Sequence, residues 1–286
     1  MPRLPFYQID AFTDTPYQGN PAAVCLLANP LADSTCQAIA VEMALSETAF
    51  LLRTGNERWE ASDRFSLRWF TPKTEVRLCG HATLASAAAL FDMVGVRQSK
   101  IVFETLSGEL IARKEADGIA LDFPIDPPEA CPTPEDVTAA LGTRTEAVLH
   151  AAAGTKTRKL LLRFANANEV AALAPDFVAL LHAPSMRAYR GLIVTAPGPA
   201  PYDFSSRYFA PWVGINEDPV TGSAHTVLAP YWAERLKKGR LGEAHLHAYQ
   251  ASARGGELRV RLMAGERVEL VGQAVTVAEG FLTIPE

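Results

Sequence analysis

Cys79-Gly80-His81-Ala82 and Thr221-Gly222-Ser223-Ala224 each set a glycine at the head of a run of small and apolar residues. A helix that begins there presents unpaired backbone N–H groups and the positive end of its dipole, an elementary anion site. Gly80 and Gly222 carry no Cβ, so a ligand can come close to the backbone. Either motif alone reads as well as a tight turn, with Ser223 as an ordinary N-cap; its recurrence favours a ligand. Glu47 is the next candidate. It lies between an expected helix, Ser34 to Leu45 with Asp33 or Ser34 as cap, and the apolar strand Ala49 to Leu52. Apolar neighbours and the negative end of a helix both disfavour a charged carboxylate and raise its pKa toward neutrality. That is the tuning a general acid/base needs. The plain alternative is a solvent-facing glutamate at a helix end. Asp218 could transfer a proton or orient a hydroxyl, or merely open an Asp-Pro turn. His81 could bind a substrate or relay a proton near neutral pH, or be a structural histidine. Asn20, in Gly19-Asn20-Pro21, reads as a turn residue.

Other chemistries lack their signatures. Ser223 is not in a GxSxG nucleophile elbow, and no GxGxxG or GxxxxGK[ST] phosphate loop occurs. His245-x-His247 is explained by strand alternation without a metal. Cys25, Cys36, Cys79 and Cys131 show no CxxC spacing, so neither a zinc site nor a redox pair is indicated. No metal and no cofactor are expected.

The elements that must carry these residues repeat. Arg68-Trp69-Phe70-Thr71-Pro72 resembles Arg207-Tyr208-Phe209-Ala210-Pro211, an offset of 207 − 68 = 139. The two glycine motifs are 221 − 79 = 142 apart, and Gly108-Glu109-Leu110 returns as Gly256-Glu257-Leu258 after 256 − 108 = 148. Three matches in order, at offsets near half the chain, point to a duplication. In the first half, Ala82 to Val96 is apolar nearly all round and must be a buried helix. Strands follow at Ile101 to Leu106, Glu109 to Lys114 and Ile119 to Phe123. The second half matches with a helix over Ala224 to Leu236 and strands at Glu257 to Leu262, Arg267 to Leu270 and Ala274 to Val277. The expected fold is therefore α+β, in two pseudo-symmetric domains. Each is a mainly antiparallel sheet wrapped around a central helix. Clustered prolines from Asp126-Pro127-Pro128 to Pro132-Thr133-Pro134 cannot join a ladder and mark the boundary. The domains are then 1–126 and 127–286, with the last residues able to return to the first.

Composition agrees with two cores. The chain has 286 residues, 48% of them hydrophobic, which is too long for one core and apolar enough for two. A net charge of −5 leaves no electrostatic footprint for nucleic acid, and no basic run suggests a membrane surface. The apolar stretch Ala82 to Val96 is too short to span a bilayer. The opening residues lack the apolar core of a signal peptide, and four unpatterned cysteines suit reduced thiols. A cytoplasmic protein is expected.

Gly19-Asn20-Pro21-Ala22, Ser46-Glu47-Thr48-Ala49-Phe50, Cys79-Gly80-His81-Ala82-Thr83, Asp122-Phe123-Pro124 and Asp218-Pro219-Val220-Thr221-Gly222-Ser223-Ala224-His225 together resemble the PhzF family of phenazine-biosynthesis-type isomerases. The resemblance covers almost the whole chain. It implies a diaminopimelate-epimerase-like fold and catalytic Glu47 assisted by His81 and Asp218. Asn20, Gly80, Gly222 and Ser223 would hold a substrate carboxylate in an inter-domain cleft. It also implies cofactor-free movement of a proton on a small carboxylate, and a homodimer. Tyr249-Gln250-Ala251 departs from the usual Gln-Gly near the last motif. The related epimerases and racemases use two opposed cysteines; here those positions are Cys79 and Thr221, and a threonine hydroxyl is a poor carbon base. Two rival readings stay open: an amino-acid epimerase using Cys79, and a non-catalytic carboxylate-binding protein.

Overall fold

The computed structural model describes residues 2–238 and 244–284. The chain divides into two compact units, the first comprising Met1–Asp122 with Val271–Glu286 and the second Phe123–Leu270.

The first unit is a mixed sheet on a central helix. Its strands are β1 (Arg3–Ala11), β2 (Asn20–Leu27), β3 (Glu47–Arg53), β4 (Arg64–Phe70), β5 (Glu75–Val76), β6 (Lys100–Thr105), β7 (Gly108–Glu115) and β8 (Gly118–Pro124). Most neighbours are antiparallel, but β2 runs parallel to β3 and β4 parallel to β6. A parallel pair needs a crossover. The first crossover holds helix α1 (Asp33–Met43) and the second holds α2 (Gly80–Ala88), so each parallel pair delivers a helix end next to a strand end. Every residue of α2 from His81 to Ala88 is buried. The helix widens into a π-helical turn over Ala89–Val94, where Asp92 and Met93 reach solvent. Its small side chains let the sheet approach closely, and the buried hydroxyls of Thr83 and Ser86 return to the carbonyls of Cys79 and Ala82. The C-terminal strand Ala274–Thr283 lies antiparallel to β1, from Arg3 opposite Thr283 to Ala11 opposite Ala274. The chain end thus belongs to the first unit.

The second unit repeats the plan. Its strands are β9 (Glu129–Ala130), β10 (His150–Gly154), β11 (Lys159–Arg163), β12 (Gly191–Pro197), β13 (Phe204–Ala210), β14 (Ile215–Glu217), β15 (His245–Gln250), β16 (Glu257–Met263) and β17 (Arg267–Gly272). Here β11 is parallel to β12 and β13 to β15. The first crossover carries α4 (Ala167–Ala172) and α5 (Phe177–His182), which pack with α3 (Glu135–Ala140) over an apolar cluster that includes Leu160, Leu162, Leu192 and Val194. The second carries α6 (Gly222–Leu236), whose Trp232 stacks on Phe204 at 5.8 Å. Duplication extends to side chains. Arg68 bonds Glu75 at 2.7 Å and Arg207 bonds Glu217 at 2.8 Å. Each arginine also lies 5.0 Å over a phenylalanine ring, Phe70 or Phe209.

Two local expectations need correction. Helix α1 begins at Asp33 with Ala32 as its cap residue, and neither Asp33 nor Ser34 caps it by a side chain. The proline segment does join a ladder, because Glu129 and Ala130 lie between the prolines and keep their own amides free to pair with Ala153 and Ala152. The division between units falls at Asp122/Phe123, inside the strand that precedes the prolines.

Candidate active site

Glu47 opens β3 immediately after the first crossover, and Cys79 and Gly80 open α2 within the second. The sheet therefore places a carboxylate beside a helix N-terminus. The Glu47 carboxyl, 12% exposed, lies 3.3 Å from His81 Nε2, whose side chain is 6% exposed. His81 Nδ1 lies 3.5 Å from Cys79 Sγ. Donor atoms of Glu47, Cys79 and His81 all fall within 4.8 Å of one another. The carboxyl lies nearest one imidazole nitrogen and the sulfur nearest the other. Burial pushes the His81 pKa down to about 3. At neutral pH the ring is uncharged despite its carboxyl neighbour, because loss of solvation outweighs that attraction. A neutral ring has one N–H, and in the Nδ1–Sγ contact either the ring or the thiol is the donor, according to the tautomer.

Asn20 begins β2, fully buried, opposite Ala11. Gly19 sets it there. With φ +63°, a Cβ on Gly19 would stand 2.2 Å from the Ala11 carbonyl oxygen and 2.8 Å from Thr13 Cγ2. No other residue tolerates that turn.

In the second unit, Asp218 is buried in the loop before α6. Its Oδ2 accepts the Thr221 hydroxyl at 2.5 Å, and its backbone N–H bonds the Tyr208 carbonyl at 3.1 Å. Thr221 is the N-cap residue and Gly222 the first helical one, which leaves Ser223 inside the first turn, half-buried. Ser223 is thus not the cap. His225, wholly buried, contacts the Thr221 carbonyl through Nδ1 at 2.9 Å, and burial lowers its pKa to about 4.

Sequence reasoning missed Gln250. Its carboxamide accepts from the Thr221 N–H at 2.8 Å, donates to the Asp218 carbonyl at 2.7 Å and reaches the Thr221 hydroxyl at 3.3 Å. One side chain therefore fixes the loop that carries Asp218 and the tip of α6. The available signal was phase, since Leu246, Ala248 and Gln250 share the buried register of β15. A polar residue in that register must be bonded. Tyr208, buried and raised in pKa by burial and then by the Asp218 carboxylate, was missed as well.

The duplicated registers also locate the counterpart of Glu47. Thr48 pairs with Phe70 as Leu192 pairs with Phe209, so Glu47 corresponds to Gly191. A Cβ there would lie 2.0 Å from the Tyr208 hydroxyl. The phenol occupies the space, and only the first unit has a carboxylate at this position. Similarly, Cys79 has Thr221 as its counterpart.

Among the described residues, no helix is long and apolar enough to cross a membrane. Residues 9–280 match the model of the PhzC-PhzF family, described as phenazine biosynthesis-like protein. The phenazine biosynthesis-like domain-containing protein 1 of Mus musculus is 49% identical over 98% of this chain and 99% of its own length. A Pseudomonas aeruginosa protein named as an uncharacterized isomerase is 48% identical over 98% of each chain. The crystal structure of a PhzF-family phenazine biosynthesis protein from Enterococcus faecalis is 40% identical, covers 99% of this chain and 100% of its own, and superposes with a TM-score of 0.88. A predicted epimerase from Pseudomonas aeruginosa, 21% identical, shares the fold at a TM-score of 0.72. By its two-unit α+β architecture, its duplicated motifs and these matches, the chain belongs to the PhzC-PhzF, phenazine biosynthesis-like family.

Proposed function

We propose that this protein is a cofactor-independent isomerase that moves a proton on a small carboxylate, with Glu47 as general acid/base. The observation that carries the reading is the half-enclosed Glu47 carboxyl, 3.3 Å from an uncharged, buried His81. In the first step a substrate C–H bond breaks, the proton passes to a Glu47 oxygen, and the electron pair moves into the conjugated system of the substrate. In the second step Glu47 returns that proton to a different carbon. His81 keeps the carboxyl in place, with Cys79 at its other nitrogen. Asp218 assists through its short bond from Thr221. The roles of Asn20, Gly80, Gly222 and Ser223 in holding the substrate carboxylate rest on the family pattern and on the amides of the two helix tips. A cytoplasmic homodimer belongs to the same proposal, with light scattering as its check.

The amino-acid epimerase reading, with Cys79 as base, is weaker. Opposed-base epimerisation needs a second thiol, and its place is taken by Thr221, whose hydroxyl is engaged by Asp218.

The test is deuterium incorporation from D2O into a panel of small cyclic and amino carboxylates. Glu47→Gln keeps the side-chain volume but cannot cycle a proton, so exchange on the responsive acid should fall by ~100-fold or more. Exchange at the wild-type rate in that variant refutes the assignment. If the wild-type protein binds one of the acids tightly and exchanges none, the non-catalytic binding reading takes its place.

A further inference from the structure

A cavity of about 520 Å³ opens in the second unit beside the C-terminal half of α6. It begins at Pro230, about 12 Å along the helix from Gly222 at 1.5 Å per residue, and includes none of the residues assigned above. Its volume is in the range of small-molecule sites. Ile125, Pro127, Pro230 and Leu262 supply rigid apolar walls.

Three polar groups converge on one side. The Tyr231 hydroxyl lies 3.3 Å from His150 Nδ1. Arg235 stands 3.6 Å over the Tyr231 ring and bonds the Tyr231 carbonyl through Nη1 at 3.3 Å. That Nη1 is also 3.8 Å from a Glu234 carboxylate that is 84% exposed, a weak neighbour in water. Among the described residues, the other guanidinium nitrogens of Arg235 have no hydrogen-bond partner. Burial first, then Arg235 and Arg163, holds the His150 pKa below its usual value against an opposing Glu234, so the imidazole stays neutral. An arginine fork, a phenol and an uncharged imidazole against apolar walls suit an anion with an apolar body.

The site also lies at a joint. Pro230 has no N–H, so the Thr226 carbonyl one turn earlier loses its helical partner. The Asp126 N–H takes that carbonyl at 3.0 Å. The chain entering the second unit is thereby tied to α6 at the residue where the helix is weakest, and Pro127 follows directly.

We propose that this cavity is a second ligand site, for a small monocarboxylate with an apolar ring. Arg235 and the Tyr231 hydroxyl take the carboxylate, and the ring lies between Pro127, Pro230 and Leu262. A molecule held there braces the joint between α6 and the Asp126 segment.

Benzoate is the probe, titrated calorimetrically into the full chain. Saturable binding is expected. Arg235→Leu should weaken it by ~10-fold or more, the loss of a charge-assisted hydrogen bond. Ala130→Trp, at the exposed rim on β9, should abolish it by filling the mouth without changing charge. Glu47→Gln should bind as the wild type does, which separates this site from the candidate active site. Benzamide, of the same shape without charge, should bind more weakly than benzoate. Undiminished binding in both Arg235→Leu and Ala130→Trp, loss of binding in Glu47→Gln, equal binding of benzamide, or no saturable binding at millimolar benzoate would each overturn the proposal.

Discussion

Replacing Gln250 by leucine removes a carboxamide of similar size from a fully buried position on β15. Three bonds disappear, at 2.8, 2.7 and 3.3 Å, and leucine offers nothing in return to the Thr221 N–H or the Asp218 carbonyl. Each buried group left without a partner costs ~1–3 kcal/mol, so the pair together costs ~2–6 kcal/mol. The extra apolar contact of leucine offsets a part of this, about 1 kcal/mol. Urea unfolding followed by tryptophan fluorescence should report the loss, because Trp232 lies on α6 itself and is buried. Gln250→Glu gives the finer measure. When protonated it keeps an acceptor for the Thr221 N–H and an O–H that can donate to the Asp218 carbonyl, and so should cost less than leucine at low pH. At neutral pH a second carboxylate beside Asp218 adds repulsion, and the gap between the two variants should close or reverse. A leucine variant destabilised by less than ~1 kcal/mol would show that solvent or loop movement satisfies these groups, and Gln250 would not be what holds Asp218.

Other perturbations test the same framework. Gly19→Ala meets the Ala11 carbonyl at 2.2 Å in a left-handed backbone and should cost several kcal/mol, on the order of 2–4, measured by thermal unfolding. Histidines 81 and 225 have folded-state pKa values of about 3 and about 4. Both lie below the unfolded value, so the unfolded chain binds more protons between the two. Stability is then full above about pH 6.5 and falls as the medium is acidified toward those folded values, by about 2 kcal/mol per pH unit at most. Denaturant midpoints across that range check it, and a flat profile would contradict two neutral buried imidazoles. Cys79→Ser keeps a donor beside His81 Nδ1 and should retain proton exchange within ~10-fold, whereas a cysteine-centred epimerase would lose it.

Much of this architecture was legible in the residues because it depends on local periodicity and on repetition. The all-apolar run after Gly80 could only be a buried helix, and α2 is buried from His81 to Ala88. The repeated Arg-x-Phe segments predicted paired halves, and the duplication carries with it two Arg–Glu pairs and two cation–π contacts that the sequence did not announce. What periodicity cannot express is pairing between distant strands. The return of Ala274–Thr283 to β1, and the ladder made by Glu129 and Ala130 between prolines, depend on partners far away in the chain. The same holds within the site. Residue types named Glu47, His81 and Asp218, but a sequence does not say which nitrogen of His81 meets the carboxyl and which meets sulfur. Gln250 was hidden for a similar reason, since its partners lie about thirty residues earlier and only the crossover through α6 brings them within hydrogen-bond reach. The residue types and their spacing therefore determined the family, the duplication and the candidate acid. Tertiary structure alone decided who touches whom, because hydrogen bonds and desolvation act over a few ångströms of space and take no account of separation along the chain.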